Sequence, residues 1–262
     1  MQAKRVVQEG IRAAHVLVPA ALPDKLGIYF HYLPPAHHGA FEALVHALRN
    51  RGYVFGGPDI LFDETVERSV FLSIDDNYRA TLDALSLFDR LKVPMTVYVN
   101  TAYLADTASP SQIETYFQRL AFDGPRYVLA SEDLKRLRDA GHEIGAHTHT
   151  HRMLSRLSDA EAKDEILISK RLLDRLLDDP VRHFSYPFGM RRHFRPALRA
   201  YCAEVGFETV ANAIPALQHA GHTPLAIQRS VWNLSDPLAR NLTNLRIDGR
   251  LFERLTGRSA VG

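Results

Sequence analysis

Short apolar runs alternate along the chain with longer segments in which apolar residues recur at helical spacing. The clearest run, SVFLSI at 69–74, is almost continuously apolar, which is typical of a strand buried on both faces of a parallel sheet or an α/β barrel. Similar runs predict about seven strands, at 26–33, 69–76, 94–100, 143–146, 181–186, 207–212 and 225–231. Strands that alternate with helices predict parallel βα units, so the predicted fold class is α/β.

The spacing of apolar residues between the strands predicts the helices. After the strand that ends at 76, one apolar stripe predicts a single helix with the members Tyr78, Leu82, Leu85, Phe88 and Leu91. Residues 101–130 form a long polar insertion with a predicted short helix near 111–120, and such insertions often carry function over a barrel mouth. We predict an N-terminal arm or helix over 1–24 and a single domain over 25–262.

Composition narrows the class of protein. With 262 residues and 46% hydrophobic content, the chain can bury a full core. Lysine and arginine total 32 against 30 acids, and no basic stripe indicates a nucleic-acid partner. The N-terminus lacks the apolar region of a signal peptide and no segment is long enough to span a bilayer, so we expect a soluble cytoplasmic protein. Cys202 is the only cysteine, which excludes an internal disulfide and a thiolate zinc site.

Two carboxylates, Asp75 and Asp76, end the clearest strand. The carboxyl ends of parallel strands are where such folds build their active sites. Adjacent side chains on an extended strand point to opposite faces, so we expect the two acids to play different parts. Two like charges side by side cost free energy unless a cation or a proton relieves them. The alternative is a helix N-cap followed by a turn acid, because Asp begins helices well.

Three of the 13 histidines fall within five positions, in HTHTH at 147–151. They follow a predicted buried strand, and histidine is the commonest metal ligand. On a tightly turned or helical segment His147 and His151 can face the same ion, whereas on an extended segment all three rings share one face. Because the apolar run ends just before them, we expect a turn, with His147 and His151 as ligands and His149 turned aside. Two imidazole nitrogens and one carboxylate from the acid pair form an open catalytic metal site.

These segments resemble the motifs of the polysaccharide deacetylase family, the NodB-homology domain of carbohydrate esterase family 4. The family's motifs are typically Thr-Phe-Asp-Asp-Gly, His-Ser/Thr-x-x-His and Arg-x-Pro-Tyr-Gly, in that order. The corresponding segments here are SIDDN at 73–77, HTHTH at 147–151 and SYPFG at 185–189. The resemblance covers most of the chain, residues 25–231, and implies a distorted (β/α) barrel of about seven parallel strands. The resemblance also implies that Asp75 is the catalytic base. It implies that the metal ligands are Asp76, His147 and His151.

Two departures from the family's motifs affect individual assignments. Asn77 replaces the usual glycine of the first motif, and we expect it to preserve the turn because asparagine tolerates left-handed backbone. The third motif lacks the arginine that orients the catalytic acid in the family. Arg229, at the end of another predicted strand, is our candidate for that charge, and a surface salt bridge is the alternative.

A third departure concerns the general acid, because the family's late Leu-x-His motif is absent. A circularly permuted subgroup takes this acid from an early strand that ends in Tyr-His, and IYFH at 28–31 resembles that version. His31 is therefore the expected general acid, with a structural histidine as the alternative. We interpret His222, which precedes the position of the missing motif, as a loop residue.

The resemblance implies metal-assisted hydrolysis of an N-acetyl group on an amino sugar, so the expected partner is an N-acetylated saccharide. One divalent cation, Zn²⁺ or alternatively Co²⁺, Ni²⁺ or Mn²⁺, activates the carbonyl and a water, and Asp75 removes the water's proton. The resemblance implies that the metal and the backbone N–H of Phe188 hold the oxyanion, and His31 is expected to protonate the leaving amine. The residues expected to contact the substrate are Tyr186, Pro187, Phe188, Arg229 and Trp232; core packing is the alternative for each aromatic ring.

Two other functions fit the same motifs. A metal-dependent amidohydrolase of another acyl amide uses a His-x-His pair, which His147 and His149 provide, although that family usually places the pair on its first strand. A non-catalytic descendant that binds glycan fits the three departures. The sequence does not identify the sugar, the polymer length or the oligomeric state.

Overall fold

The computed structural model describes residues 21–215 and 223–246. Its strands, in chain order, are β1 Lys25–Phe30, β2 Val54–Gly56, β3 Ser69–Asp75, β4 Thr96–Val99, β5 Glu143–Ala146, β6 His183–Ser185, β7 Thr209–Ala211 and β8 Ser230–Val231. Its α-helices are α1 His38–Arg49, α2 Ala80–Asp83, α3 Leu85–Leu91, α4 Pro110–Arg119, α5 Ser131–Asp139, α6 Asp159–Leu177, α7 Pro196–Glu204 and α8 Leu238–Asn244.

The strands form one parallel sheet in the order β7-β6-β5-β4-β3-β1-β8, with β2 paired to the beginning of β3. The sheet curls until its two ends meet. Ile227, just before β8, donates its N–H to Val210 and accepts from Asn212, both at 2.8 Å, while β8 itself pairs with β1. The predicted α/β class and distorted barrel are confirmed. Because all the pairs are parallel, the carboxyl ends of the strands meet at one rim.

The central strand β3 is buried along its whole length. Val70, Leu72 and Ile74 point outward and pack in the core cluster that includes residues of α1 and α3. Phe71 lies in a separate cluster with residues of β4 and β7, which places the alternate positions inside the barrel. Both faces are therefore covered, which is why the run is almost continuously apolar. Asp75 belongs to the inward-facing set, at the rim.

Two predicted elements differ from the structure. The single helix predicted after the acids is two short helices, α2 and α3, and Tyr78 precedes both. Tyr78 instead forms an antiparallel β-bridge with Val128 of the insertion. Its ring packs against side chains of the insertion rather than lying on a helix face. The strand predicted over 225–231 begins as a 3₁₀ turn, Pro224–Ala226, because Pro224 starts the turn and the Thr223 hydroxyl caps it.

The insertion over 101–130 contains α4, which confirms the predicted helix near 111–120. A capping box begins it: the Ser109 hydroxyl accepts from the Gln112 N–H at 3.3 Å, and Gln112 Oε1 accepts from the Ser109 N–H at 2.8 Å. Buried rings of α4, Tyr116 and Phe117, pack against the turn that follows β3. The helix therefore lies at the rim of the barrel.

Some predictions concern residues outside the described part of the chain. The N-terminal arm predicted over 1–24 lies outside it except for its last four positions, and so does His222. The single domain over 25–262 stays a prediction. Within residues 21–215 and 223–246, no helix combines the length and apolar composition that crossing a membrane requires.

Candidate active site

A cavity of about 450 Å³ opens at the rim where the carboxyl ends of the strands meet. This volume is within the range of roughly 300–1,000 Å³ that is typical of small-molecule sites. The predicted site residues that line the cavity are His31, Asp75, Asp76, His147, His151 and Phe188. Residues separated by more than a hundred positions therefore meet in one place, because the rim gathers the ends of β1, β3, β5 and β6.

The two acids have different partners, although not for the reason expected from strand alternation. Asp75 is the last residue of β3, whereas Asp76 has left the strand and has left-handed backbone, with a φ of 75°. Both line the cavity, so alternation along a strand does not separate them. The left-handed turn separates them, because it directs Asp76 toward the histidines while Asp75 contacts Arg229. Neither acid is a helix cap, since the N-cap of α2 is Arg79.

Asp76, His147 and His151 form a cluster of potential metal ligands. Asp76 Oδ1 lies 3.8 Å from His147 Nε2 and 3.4 Å from His151 Nε2. One ligand atom from each residue lies within 4.8 Å of the other two, and all three side chains are buried. Within the described residues, this is the one such cluster of histidine, cysteine or acidic side chains.

The protonation of this cluster fits a cation. Burial lowers the pKa of His147 and His151 to about 4, so both rings are neutral at pH 7. His147 Nδ1 lies 2.8 Å from the Ser185 carbonyl oxygen and must be the donor, which leaves the Nε2 lone pair directed at Asp76. Burial also raises the pKa of Asp76, and a cation offsets this cost of a buried carboxylate. Two nitrogens, one oxygen and an open side match the donor pattern of an open site for a divalent cation.

The histidine segment is a tight turn, in which Thr148 and His151 have left-handed backbone (φ 66° and 54°). His149 turns aside, as predicted: its Nδ1 lies 2.8 Å from the Thr101 hydroxyl, and its N–H donates to the Glu165 carbonyl at 3.0 Å. The His-x-His pair of an amidohydrolase is therefore not assembled here. The Glu165 carboxylate accepts from the backbone N–H of Thr150 at 2.7 Å, so α6 fixes the turn.

Arg229 is fully buried behind Asp75, and all five of its N–H groups donate to oxygens. Two form a bidentate pair with the Asp75 carboxylate, at 2.6 and 2.8 Å. The other acceptors are the hydroxyls of Ser73 (2.9 Å) and Ser185 (2.7 Å) and the Asn212 carbonyl (2.8 Å). Ser185 occupies the position of the arginine in the third motif, so Arg229 reaches that place from another part of the barrel. The alternative of a surface salt bridge is wrong.

This arrangement keeps Asp75 ionised. Burial raises the pKa of Asp75, but the opposing charge of Arg229 contributes to a net downward shift. The guanidinium lies between two rings, 4.9 Å from the centroid of Tyr29 and 5.2 Å from that of Tyr98. Gly145 leaves space for the second ring, since a Cβ there would lie 2.5 Å from Tyr98. The Asp75 carboxylate is therefore ionised and rigidly held.

Asn77 contributes through its side chain rather than its backbone. Its Nδ2 donates to the carbonyls of Asn100 (2.8 Å) and Tyr103 (3.0 Å), and its Oδ1 accepts from the Asn100 N–H at 2.8 Å. The expectation that Asn77 supplies a left-handed residue is wrong, because Asp76 has that conformation. The fully buried amide instead joins the end of β3 to the chain after β4.

Asn77→Gly, which introduces the residue usual in the family motif, is expected to lower the free energy of unfolding by about 2–4 kcal/mol. The loss leaves the buried N–H of Asn100 and the carbonyls of Asn100 and Tyr103 without their partners. Urea denaturation measures the change, with Asn50→Gly at the exposed end of α1 as the control. An Asn77→Gly protein as stable as the parent would show that these hydrogen bonds contribute nothing.

Sequence reasoning missed Tyr116, which extends from α4 to the cluster of Asp76, His147 and His151. Its hydroxyl lies 3.1 Å from Asp76 Oδ1 and 2.8 Å from Asn100 Oδ1. Burial raises its pKa well above the usual value, so the hydroxyl remains a donor. An aromatic residue on an amphipathic helix is ordinarily core, and only the fold reveals that this one orients Asp76.

Of the five residues expected to contact the sugar, the structure brings Phe188 to the cavity wall. The other four are buried away from it: Tyr186, Pro187, Arg229 and Trp232. Tyr186 stacks on Phe194 with 4.4 Å between ring centroids, and Trp232 packs in the core cluster next to β1. Core packing, the alternative stated for these two rings, is what the structure shows.

The turn after β6 is what exposes Phe188. Phe188 and Gly189 both have left-handed backbone, with φ of 65° and 58°. A Cβ at Gly189 would lie 2.2 Å from that of Ala213, so no larger residue fits. Phe188 is 46% exposed, and its ring centroid lies 5.1 Å from that of His151, a member of the cluster of potential metal ligands.

Comparison with protein families agrees with this geometry. Residues 63–210, more than half of the chain, match the family model described as polysaccharide deacetylase. The chain belongs to the polysaccharide deacetylase family. The predicted family is therefore confirmed, and membership in its circularly permuted subgroup stays a prediction. The matched region contains the acids, the histidine turn and the third motif.

The chain also matches an individual curated member of the family, at modest sequence identity. A chitooligosaccharide deacetylase from Bradyrhizobium sp. (strain ANU 289) is 30% identical over 131 residues, which are 49% of this chain and 49% of the relative. The match thus spans about half of that relative's length.

Solved structures of deacetylases share the fold of this chain. A deacetylase from Streptococcus pyogenes in complex with acetate is 15% identical, with a TM-score of 0.67 over 87% of this chain and 100% of that one. A polysaccharide deacetylase from Bacillus cereus is 18% identical, with a TM-score of 0.67 over 85% and 69%. At these identities the likeness establishes the fold alone.

Proposed function

We propose that this member of the polysaccharide deacetylase family is a metal-dependent hydrolase that removes N-acetyl groups from a saccharide containing amino sugars. One observation carries the proposal: a cluster of two neutral imidazoles and a carboxylate lies in the same cavity as Asp75, a second carboxylate held by a buried arginine. Family membership supports the reaction, because its members are named for deacetylation of polysaccharides.

Asp76, His147 and His151 are the proposed metal ligands, and their donor set favours Zn²⁺, with Co²⁺, Ni²⁺ or Mn²⁺ as alternatives. When bound there, a divalent cation supplies Lewis acidity, which polarises the acetamide carbonyl and lowers the pKa of water. Asp75 accepts a proton from the attacking water as the new C–O bond forms. Its bidentate pair with Arg229 fixes the carboxylate for that transfer.

The other two proposed participants lie on different walls of the cavity. The backbone N–H of Phe188 is proposed to stabilise the oxyanion, a role supported by the left-handed turn beside His151. His31 is proposed to donate a proton to the amine nitrogen as the C–N bond breaks, releasing acetate and the free amino sugar. Its ring is exposed to the cavity and is not a member of the metal cluster, which supports an acid rather than a core histidine.

His31→Ala is expected to retain the metal and to lose roughly 10²–10⁴-fold in the rate of amide hydrolysis, the usual worth of positioned proton transfer. An aryl acetate ester has a leaving group that needs little protonation, so the variant should hydrolyse it nearly as fast as the parent. The measurement is kcat for both substrates, with His37→Ala, which does not line the cavity, as the control. Equal losses on amide and ester in a folded variant would remove His31 from the proton transfer.

The test of the proposed function is acetate release from a series of chitooligosaccharides, with mass spectrometry to confirm the loss of acetyl groups. Asp75→Asn serves as the inactive control, because it preserves the size of the side chain and removes its basicity. A folded, metal-loaded protein that releases no acetate from any of these substrates would contradict the proposal for chitin-like saccharides. Binding without release would instead favour a glycan-binding descendant.

A further inference from the structure

We propose that the side of the cavity lined by Arg119 and the rings of Tyr32, Tyr78 and Phe122 is a subsite for a sugar unit that carries a carboxylate. The ring of this unit lies against an aromatic wall, and its carboxylate pairs with Arg119. The inference rests on the proposed function, since it names the class of saccharide that the same site accepts.

The aromatic wall consists of Tyr32, Tyr78 and Phe122, which come from three separate segments and all line the cavity. Their ring centroids lie 4.7 Å apart for Tyr78 and Phe122, 5.0 Å for Tyr32 and Phe122, and 5.5 Å for Tyr32 and Tyr78. Tyr32 and Phe122 are partly exposed, so the wall presents ring faces and edges to the cavity. Apolar faces with polar tips are the surface on which the C–H face of a pyranose ring packs.

Arg119 lies at the end of α4, beside this wall, and lines the same cavity. Its Nη1 donates to two neutral acceptors, the Tyr103 hydroxyl and the Thr150 carbonyl, both at 3.2 Å. In residues 21–215 and 223–246 it forms no ion pair, and its Nε and Nη2 make no hydrogen bond. The guanidinium is thus held in place while the edge that binds carboxylates bidentately remains available.

The balance of charge in the cavity favours an anionic ligand. Asp75 is already neutralised by Arg229, and Asp76 is committed to the proposed metal. The positive charge of Arg119 therefore has no counterpart among the acids that line the cavity. A carboxylate on the bound saccharide supplies the missing negative charge. Charge complementarity of this kind contributes more to specificity than to affinity.

The test is equilibrium binding of three probes to the metal-loaded protein in an Asp75→Asn background, which prevents turnover. The neutral probe is a tetrasaccharide of N-acetylglucosamine. The acidic probes are a tetrasaccharide in which N-acetylglucosamine alternates with glucuronic acid, and a disaccharide of N-acetylglucosamine and N-acetylmuramic acid. Tighter binding of either acidic probe than of the neutral one supports the subsite, and the preferred probe identifies the source of the carboxylate.

Adding Arg119→Gln is expected to weaken binding of the preferred acidic probe by roughly 10–100-fold and to leave the neutral probe unchanged. Arg119→Lys should give an intermediate loss, because lysine keeps the positive charge but lacks the two parallel N–H donors of the guanidinium. Phe122→Ala should weaken both kinds of probe. Arg126→Gln, on the same insertion but paired with Glu114 outside the cavity, is the matched control.

Two results overturn the proposal: equal binding of acidic and neutral probes, or an Arg119→Gln loss that is the same for both. Because binding is measured without turnover, these outcomes are independent of acetate release. A protein that binds the acidic probe through Arg119 but releases no acetate would contradict the proposed function and leave the subsite standing.

Discussion

Asp75→Asn is expected to retain its metal and to lose turnover by roughly 10²–10⁴-fold, which is the contribution of a positioned base. The amide keeps the size of the side chain but cannot accept the proton of the attacking water. Asp75 is not a member of the metal cluster, because its carboxylate is occupied by Arg229. Metal analysis of the purified variant and its kcat on a chitooligosaccharide are the two measurements.

The matched variants are Asp76→Ala and His151→Ala, which remove ligands from the cluster and are expected to abolish metal binding. Both side chains are buried, and Asp76 Oδ1 lies 3.4 Å from His151 Nε2. Among the described residues the cluster has no fourth histidine, cysteine or acidic member that could replace either of them. Circular dichroism separates loss of metal from loss of fold. An empty Asp75 variant beside a metal-loaded Asp76 variant would reverse the two assignments.

Arg229→Met is expected to lower the free energy of unfolding by about 3–5 kcal/mol, the usual cost of removing one partner from a buried ion pair. Asp75 is 4% exposed, so without Arg229 its charge has neither solvent nor a bidentate donor. Three further acceptors, on Ser73, Ser185 and Asn212, lose their donor at the same time. Guanidinium denaturation measures the stability, and kcat of the folded fraction measures the effect on the base.

The double variant Asp75→Asn/Arg229→Met provides the control for this interpretation. It removes the uncompensated charge as well as its partner, so it is expected to be more stable than Arg229→Met alone. A single Arg229→Met variant that unfolds like the parent would show that the pair does not stabilise the barrel. A double variant less stable than the single one would show that the cost lies in lost packing.

The sequence was informative where local pattern and chemistry coincide. The apolar run of β3 predicted a strand buried on both faces, and the parallel sheet then required Asp75 to lie at the rim. The spacing of His147 and His151 was sufficient to predict that both rings lie in one cluster with an acid, once a turn was assumed. These inferences needed only the periodicity of secondary structure and the ligand preferences of a metal.

Contacts across the barrel depend on its closure, and Arg229 was a candidate partner of Asp75 only by comparison with the family motif. Arg229 contacts Asp75 because the chain before β8 bridges β7 and β1, and no local pattern in the sequence reports that closure. Tyr116 reaches Asp76 only because the insertion folds back over the rim. Trp232 shows a different error, since an aromatic residue just after the last predicted strand was assigned to the substrate and is buried in the core.

The left-handed residue in the first motif could not be located from composition either. Asparagine tolerates that conformation better than most residues, so Asn77 was the reasonable assignment. The structure places it at Asp76, because this turn directs one acid at the histidines and frees the Asn77 amide to join two strands. Tertiary contacts, rather than intrinsic backbone preference, decide between the two neighbours.

The most direct test of the proposed metal dependence measures acetate release from a chitooligosaccharide by the purified protein. The measurement is made before chelation, after chelation, and after one equivalent of Zn²⁺ is returned. Metal content is determined at each stage. The expected result is that activity and bound metal disappear together and return together, with no return in Asp76→Ala or His151→Ala. Acetate release that persists at full rate in the metal-free protein would contradict the assignment of Asp76, His147 and His151 as the ligands of a catalytic metal.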